Sequence, residues 1–127
     1  MDYPALVNIE FDKGGAVLSA LEAAEIPVTV ALWVQFPEYS DWRLVLAAKK
    51  LDPLDTGDAY GRILEALRAA GFTPWNTPGL YFMRTTDPFI RALRKSYRHV
   101  NLMAGSHLGG QTWGDRYVID AYACRIA

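Results

Sequence analysis

The sequence predicts an α+β fold: a mixed or mostly antiparallel sheet of about five strands with about three helices packed on it. Three observations predict it. Apolar residues recur at helical spacing in three separate segments. Runs rich in valine, leucine, tyrosine and tryptophan lie between and after them and read as strands. Proline and glycine punctuate the chain between these segments as turns do, and no repeat, low-complexity segment or linker interrupts it. The 127 residues therefore form one domain, residues 1–127, long enough to bury a core without staples.

The elements follow in order. Asp12 is placed to cap a helix running to about Glu25, with Val17, Ala20, Leu21 and Ala24 on one face. Gly14 and Gly15 weaken its first turn. The preceding segment, Ala5 to Phe11, reads either as an edge strand or as an extra helical turn. Pro27 ends the helix. Val28 to Phe36 is a strand with apolar residues on both faces, which predicts a central position. Trp42 to Lys49 returns as the second strand of a hairpin. Asp55 caps a second helix, with Asp58 in its first turn, Ala59, Ile63, Ala66, Leu67 and Ala70 as its buried stripe, and Gly71 at its end. Asp58, Arg62, Glu65 and Arg68 fall on its solvent face at pairing distance. Gly79 to Thr85 is a third strand. Asp87-Pro88 is an N-cap followed by proline at the first helical position, and starts a third helix running to about Arg98. A short strand, Val100 to Ala104, a glycine-rich loop from Gly105 to Gly114, and a final strand, Tyr117 to Ile126, complete the chain.

Composition excludes several classes. With 51% hydrophobic and 21% charged residues, the chain is not disordered. No apolar run approaches the roughly 20 residues that span a bilayer. The opening MDYPALVNIEFD carries acids where a signal peptide carries lysine or arginine, which predicts a cytoplasmic protein. Cys124, the only cysteine, excludes an internal disulfide and a cysteine-cluster zinc site. The net charge of −1 conceals an asymmetry. Residues 1–60 hold ten acids against four bases, and residues 61–127 hold four acids against nine bases. Such a division marks an anion-binding side, or two halves that neutralise each other.

The third helix carries the clearest pattern. Arg91, Arg94, Lys95 and Arg98 fall within an arc of about 100° at helical spacing, over an apolar face of Phe89, Ile90, Leu93 and Tyr97. Four cations in one stripe suit the phosphates of a nucleic acid, or an acidic protein. Cations late in a helix also complement its dipole without binding anything. The alternative site lies on residues 105–116, where His107, Trp113, Asp115 and Arg116 offer polar and stacking groups on a loop, beside Ser106, Gln111 and Thr112. The loop lacks the lysine and hydroxyl of a phosphate loop, and no dinucleotide fingerprint is present, so no cofactor is expected. His99 and His107 alone are too few ligands for a metal, and Asp115 or Asp120 completes a site only if the loop folds back. Cys124 alternates with Tyr122 and Ile126 and reads as an inert core thiol. Trp33 and Trp42 read as packing residues. In a regular final strand Val118, Asp120, Tyr122, Cys124 and Ile126 share one face, so Asp120 needs a cation or backbone N–H groups, with Arg43 and Arg84 as strand-borne partners, or a bulge that turns it to solvent.

Four stretches, Ile26-Pro-Val-Thr-Val-Ala-Leu-Trp33, Trp42-Arg-Leu-Val-Leu-Ala47, Ala59-Tyr-Gly-Arg-Ile63 and Tyr117-Val-Ile-Asp-Ala-Tyr-Ala-Cys-Arg125, resemble a family of small uncharacterised bacterial proteins. The resemblance implies a stand-alone bacterial protein of similar architecture and supplies no activity. The leading functional expectation is a non-enzymatic binding or regulatory module that turns its basic third helix toward an anion, nucleic acid included. A small enzyme working at residues 105–116 is the second, and a structural subunit, such as a homodimer formed through a sheet edge or an aromatic patch, is the third. The lack of a nucleophile motif counts against the enzyme.

Overall fold

The computed structural model describes residues 8–97 and 105–127. In chain order its elements are α1 (Asn8–Ala23), β1 (Val30–Gln35), β2 (Arg43–Ala47), a single 3-10 turn (Lys49–Leu51), α2 (Thr56–Ala69), β3 (Leu80–Phe82), α3 (Pro88–Tyr97), β4 (Ser106–His107), β5 (Gln111–Trp113), β6 (Arg116–Val118) and β7 (Asp120–Ile126). They form one small α+β domain, with a five-stranded sheet in the order β3-β2-β1-β7-β4 and a separate β5-β6 hairpin. The sheet is mixed: β2 pairs with β3 in parallel, and the other pairs are antiparallel.

β1 is buried at every position. Its two apolar rows serve two cores. Ala31 and Trp33 face α1 and α2, packing with Val17, Leu21, Ile63 and Leu67. Val30, Leu32 and Val34 face α3 and the β5-β6 hairpin, packing with Phe89, Ile90, Leu93 and Trp113. A strand can occupy the middle of a sheet only if both its faces can leave water, and that condition is written in the alternation of Val28 to Phe36.

α2 connects the parallel strands β2 and β3. Asp55 caps it, its Oδ1 accepting from the Asp58 N–H at 2.7 Å. Its end is a Schellman turn: Gly71 has φ +97°, and the N–H of Phe72 donates to the Leu67 carbonyl at 2.9 Å. Ala59, Ile63, Ala66 and Leu67 are buried, whereas Ala70, expected in the same stripe, is exposed because it is the C-cap. The four charges of the outer face stay on the surface but form no ion pair with one another.

Three other expectations are corrected. The first helix begins at Asn8, so Asp12 lies inside it and does not cap it; the turn-like pair Gly14 and Gly15 is carried through because Gly14 is buried where the helix crosses β1 and β7. The helix ends with Glu25 in the left-handed region, φ 62°, where Lys50 Nζ donates to the Glu25 carbonyl at 2.5 Å. The segment 105–114 is not one loop: it supplies the edge strand β4 and one arm of the hairpin. The final strand is split at Ile119 into β6 and β7. Where Ala31 pairs with Arg125 and Leu32 with Ala123, the extra residue Cys124 makes a bulge. Ala121, Ala123 and Ile126 therefore face α3 with Val118, while Tyr122 and Cys124 face α1, and the single five-residue face does not form. Arg98, His99 and the expected strand Val100 to Ala104 lie outside the described residues.

Asp87 caps α3 as its sequence position predicts: Oδ1 accepts from the Phe89 N–H at 2.9 Å. Asp87→Ala should lower stability by about 1 kcal/mol. Urea unfolding checks this, and an unchanged midpoint would show that another group satisfies the N–H.

Candidate functional site

Beyond the carboxyl ends of the parallel strands β2 and β3, the chain turns into α2 and α3, leaving a cleft of about 610 Å³ between their first turns. Such crevices are the usual binding places of sheets with parallel strands, and the volume suits a small molecule. Thr56 and Tyr60 of α2, Tyr81 of β3, Arg84, Thr86 and Arg116 supply most of its polar lining.

Each donor is held by local structure. Arg84 follows β3, and its Nε and Nη2 donate to the carbonyls of Asp52 at 3.2 Å and Leu54 at 2.6 Å. Asp52 in turn accepts from the N–H of Thr85 at 2.9 Å and from its hydroxyl, tying the turn before α2 to the turn before α3. Arg84 Nη1 has no protein partner among the described residues. Tyr60 is on the first turns of α2, and its hydroxyl oxygen accepts from the Phe82 N–H at 2.8 Å. Tyr81 accepts from Arg116 Nη1 at 2.7 Å. Both phenol oxygens thus already hold a donated hydrogen, which leaves each O–H free to donate.

Arg116 reaches the cleft from the hairpin. It stacks over Phe36, 4.3 Å from guanidinium carbon to ring centre, and over Tyr81 at 4.8 Å. Its Nη2 donates to Glu38 Oε1 at 2.5 Å. Burial opposes its charge, but the bonds to Tyr81 and Glu38 outweigh burial and hold its pKa above the ordinary arginine value. The same bond from Arg116 holds the Glu38 carboxyl below the usual range. A carboxylate of depressed pKa contributes stability above the unfolded value and loses it as pH falls through the folded one. Glu38 is half exposed, so this contribution is small. Asp87 is the one carboxylate on the lining, and its Oδ1 is committed to the Phe89 N–H.

The residues singled out in the sequence fall in different places. Arg91 and Lys95 are exposed on α3, but Arg94 is half-buried, its Nε donating to the Ala127 carbonyl oxygen at 2.7 Å. The described part of the stripe therefore presents two free cations. Nor do His107, Trp113, Asp115 and Arg116 converge. Trp113 is 2% exposed, in edge contact with Phe89 and Tyr97, and the neighbouring Gln111 donates to the Tyr97 hydroxyl at 2.9 Å. Asp115 is exposed at the hairpin tip. His107, 54% exposed in its side chain, lies on β4 and stacks on Tyr122 with ring centres 4.4 Å apart. It thus belongs to the α1 face of the sheet, whereas Arg116 packs on the α3 face.

His107 is also the partner of Asp120: Nε2 and Oδ1 are 2.5 Å apart, and Oδ1 accepts from the Ala121 N–H at 2.9 Å. Asp120 is partly buried and bonded, as its place among apolar residues requires, but its side-chain partner is neither Arg43 nor Arg84. Arg43 lies over the Tyr39 ring at 4.4 Å, and Arg84 is held by carbonyls. The β4–β7 pairing opposes His107 to Tyr122, and an edge strand of two residues gave no pattern from which to read it.

Among the described residues no group of three or more His, Cys, Asp or Glu is placed to hold a metal ion, and no helix is long and apolar enough to cross a membrane. Burial pushes the Cys124 thiol from 9.0 up to about 12. The neutral thiol is therefore the native form at pH 8, and Ellman's reagent should find it only after denaturant is added. Because the unfolded thiol ionises first, its contribution makes stability fall as pH rises from the ordinary thiol value toward about 12. Rapid labelling of the native chain would show that the site opens.

Fold and cleft together define a small mixed-sheet domain with a donor-rich crevice at the end of its parallel strands. Comparison with models of protein families, with curated proteins and with solved structures gives no match.

Proposed function

We propose that this protein is a non-enzymatic binding module for a small anionic ligand, a phosphate- or carboxylate-bearing molecule, held in the cleft between α2, β3 and α3. One observation carries the reading: Arg84, Arg116, Tyr60 and Tyr81, from three separate parts of the chain, line one cavity whose one carboxylate, Asp87, already accepts from the Phe89 N–H. Guanidinium and phenol donors fixed by other bonds bind an anion without first losing conformational freedom. The first turns of two helices add partial positive charge at the same end. Arg91 and Lys95, on the helix that borders the cleft, extend the positive field outward.

A nucleic acid laid along α3 is the broader form of the same reading. The cleft is favoured over it because Arg94 is tied to Ala127. A bacterial cytoplasmic location belongs to the proposal.

Thermal unfolding in inorganic phosphate, with a single-stranded oligonucleotide as second probe, tests this. Phosphate at ten times its Kd should stabilise by about 1.4 kcal/mol, roughly 5 °C in Tm. Tyr60→Phe/Tyr81→Phe should remove that response, and changing Arg91, Arg94, Lys95 and Arg98 together to Gln should leave it. If instead phosphate has no effect, and oligonucleotide binding is steeply salt-dependent and lost in the Gln variant, the anion site is the helix face and not the cleft.

A further inference from the structure

Among the described residues nothing pairs with the outer face of α2, and we propose that it is covered by the same face of a second copy of this chain, with the two helices antiparallel about a two-fold axis. The charge pattern carries the inference. Asp58, Arg62, Glu65 and Arg68 alternate in sign along the face turned away from the core, at spacings that allow pairing within the helix. Yet none of the four side chains makes an ion pair or hydrogen bond with any described residue.

An axis passing between Ile63 and Leu64 brings Asp58 opposite the second copy's Arg68 and Arg62 opposite its Glu65, within one residue. Parallel packing would set like charge on like. The arrangement is thus self-complementary in one orientation only, as a two-fold interface requires. Gly61, near the crossing, has nothing within 4 Å of where a Cβ would stand, so side chains of its own chain do not keep a second helix away.

Apolar surface on this side needs covering. Leu64 is 44% exposed and Trp75, six residues beyond the helix, is 94% exposed. Beside Leu64 lies a groove of about 330 Å³, lined also by Leu67, Phe72 and Pro74. The turn that carries Trp75 is ordered by its own bonds. Asn76 Oδ1 accepts from the Thr73 N–H at 2.7 Å and from its hydroxyl at 3.2 Å, and the Thr77 hydroxyl donates to the Thr73 carbonyl at 2.6 Å. An aromatic ring held out by a stiff turn loses little freedom when it docks. The anion cleft lies on another flank of α2, through Thr56 and Tyr60, so this proposal stands or falls apart from that one.

Sedimentation equilibrium of the full chain at low salt tests it, with circular dichroism confirming that each variant folds. The wild type should dimerise. Glu65→Arg or Arg62→Glu alone should raise the dimer Kd at least ~10-fold, and the double swap should restore it toward wild type. Leu64→Asp should leave a folded monomer. A wild type that is monomeric up to about millimolar concentration, where even weak association shows, would overturn the proposal. So would a dimer indifferent to Leu64→Asp and to both single reversals, which would place the contact elsewhere.

Discussion

Gly114→Ala should destabilise the protein by about 3 kcal/mol, the largest effect expected of any single methyl group added here. Gly114 is the first residue of the two-residue turn joining β5 to β6, and its φ is +60°. A positive φ at the first central position suits the twist of a hairpin, and an L side chain there is strained by roughly 1–2 kcal/mol. The surroundings add to the strain. A Cβ at Gly114 would stand 2.8 Å from the Pro88 carbonyl carbon and 2.9 Å from the Phe89 nitrogen. These are backbone atoms of the capped first turn of α3, with no rotamer to change. Either the hairpin or the helix must move. Since Trp113 is wedged against Phe89 and Arg116 reaches from the hairpin to Tyr81, movement would loosen the core and withdraw a guanidinium from the cleft. Denaturant unfolding should show a midpoint shift at unchanged m-value, and any phosphate response should weaken with it. A loss below about 1 kcal/mol would mean that the hairpin does not rest on α3 in this way.

Gly14 and Gly15 should respond to alanine with opposite signs. Gly15 is exposed, with nothing within 4 Å of its missing Cβ. Gly15→Ala should stabilise α1 by about 0.5–1 kcal/mol through helix propensity alone. Gly14 is buried, and its Cβ would meet Cys124 Sγ and Trp33 Nε1, both at 2.8 Å. Trp33 is 1% exposed, and its indole N–H donates to the Phe11 carbonyl at 3.3 Å, so the ring has no room to retreat. Overpacking of this kind costs about 1–3 kcal/mol, which exceeds the propensity gain. Gly14→Ala should therefore lower the midpoint, and Gly15→Ala should raise it. A shift of the same sign at both positions would show that α1 does not cross β1 and β7 at Gly14.

These two glycines show what could be read without the fold and what could not. As sequence they are the same, two weak helix formers in a row. Their difference is made by Trp33 and Cys124, which lie 19 and 110 residues further along the chain. Gly114 differs in kind. A Gly-Asp pair between Thr112-Trp113 and Arg116-Tyr117 is a two-residue hairpin signal, masked in the sequence by the surrounding glycines, which suggest one loop. The signal was local and was available.

The candidate site divides in the same way. Arg91, Arg94 and Lys95 were visible as a stripe because a helix has a fixed period. That Arg94 is tied to Ala127 depends on where β7 ends, which no period reports. Arg84, Tyr60 and Tyr81 had no motif to announce them. They are ordinary residues of a helix start, a strand and a turn, and they become a cleft only because β2 and β3 are parallel, so that two helices begin at one end of the sheet. Asp120 lies between these cases. Its need for a partner followed from the apolar residues around it, but the partner, His107, was set by the register of an edge strand two residues long.

By itself the sequence determined the class of fold, the caps at Asp55 and Asp87, the turn at Gly71 and the central place of Val28 to Phe36. Each is an affair of neighbours within a few residues, governed by period, capping and φ. The tertiary structure decided which strand runs parallel, where β7 bulges, which glycine is an obligatory contact and which donors share a cavity. Those follow from atoms brought together across tens of residues, and packing selects among pairings that local chemistry leaves equal.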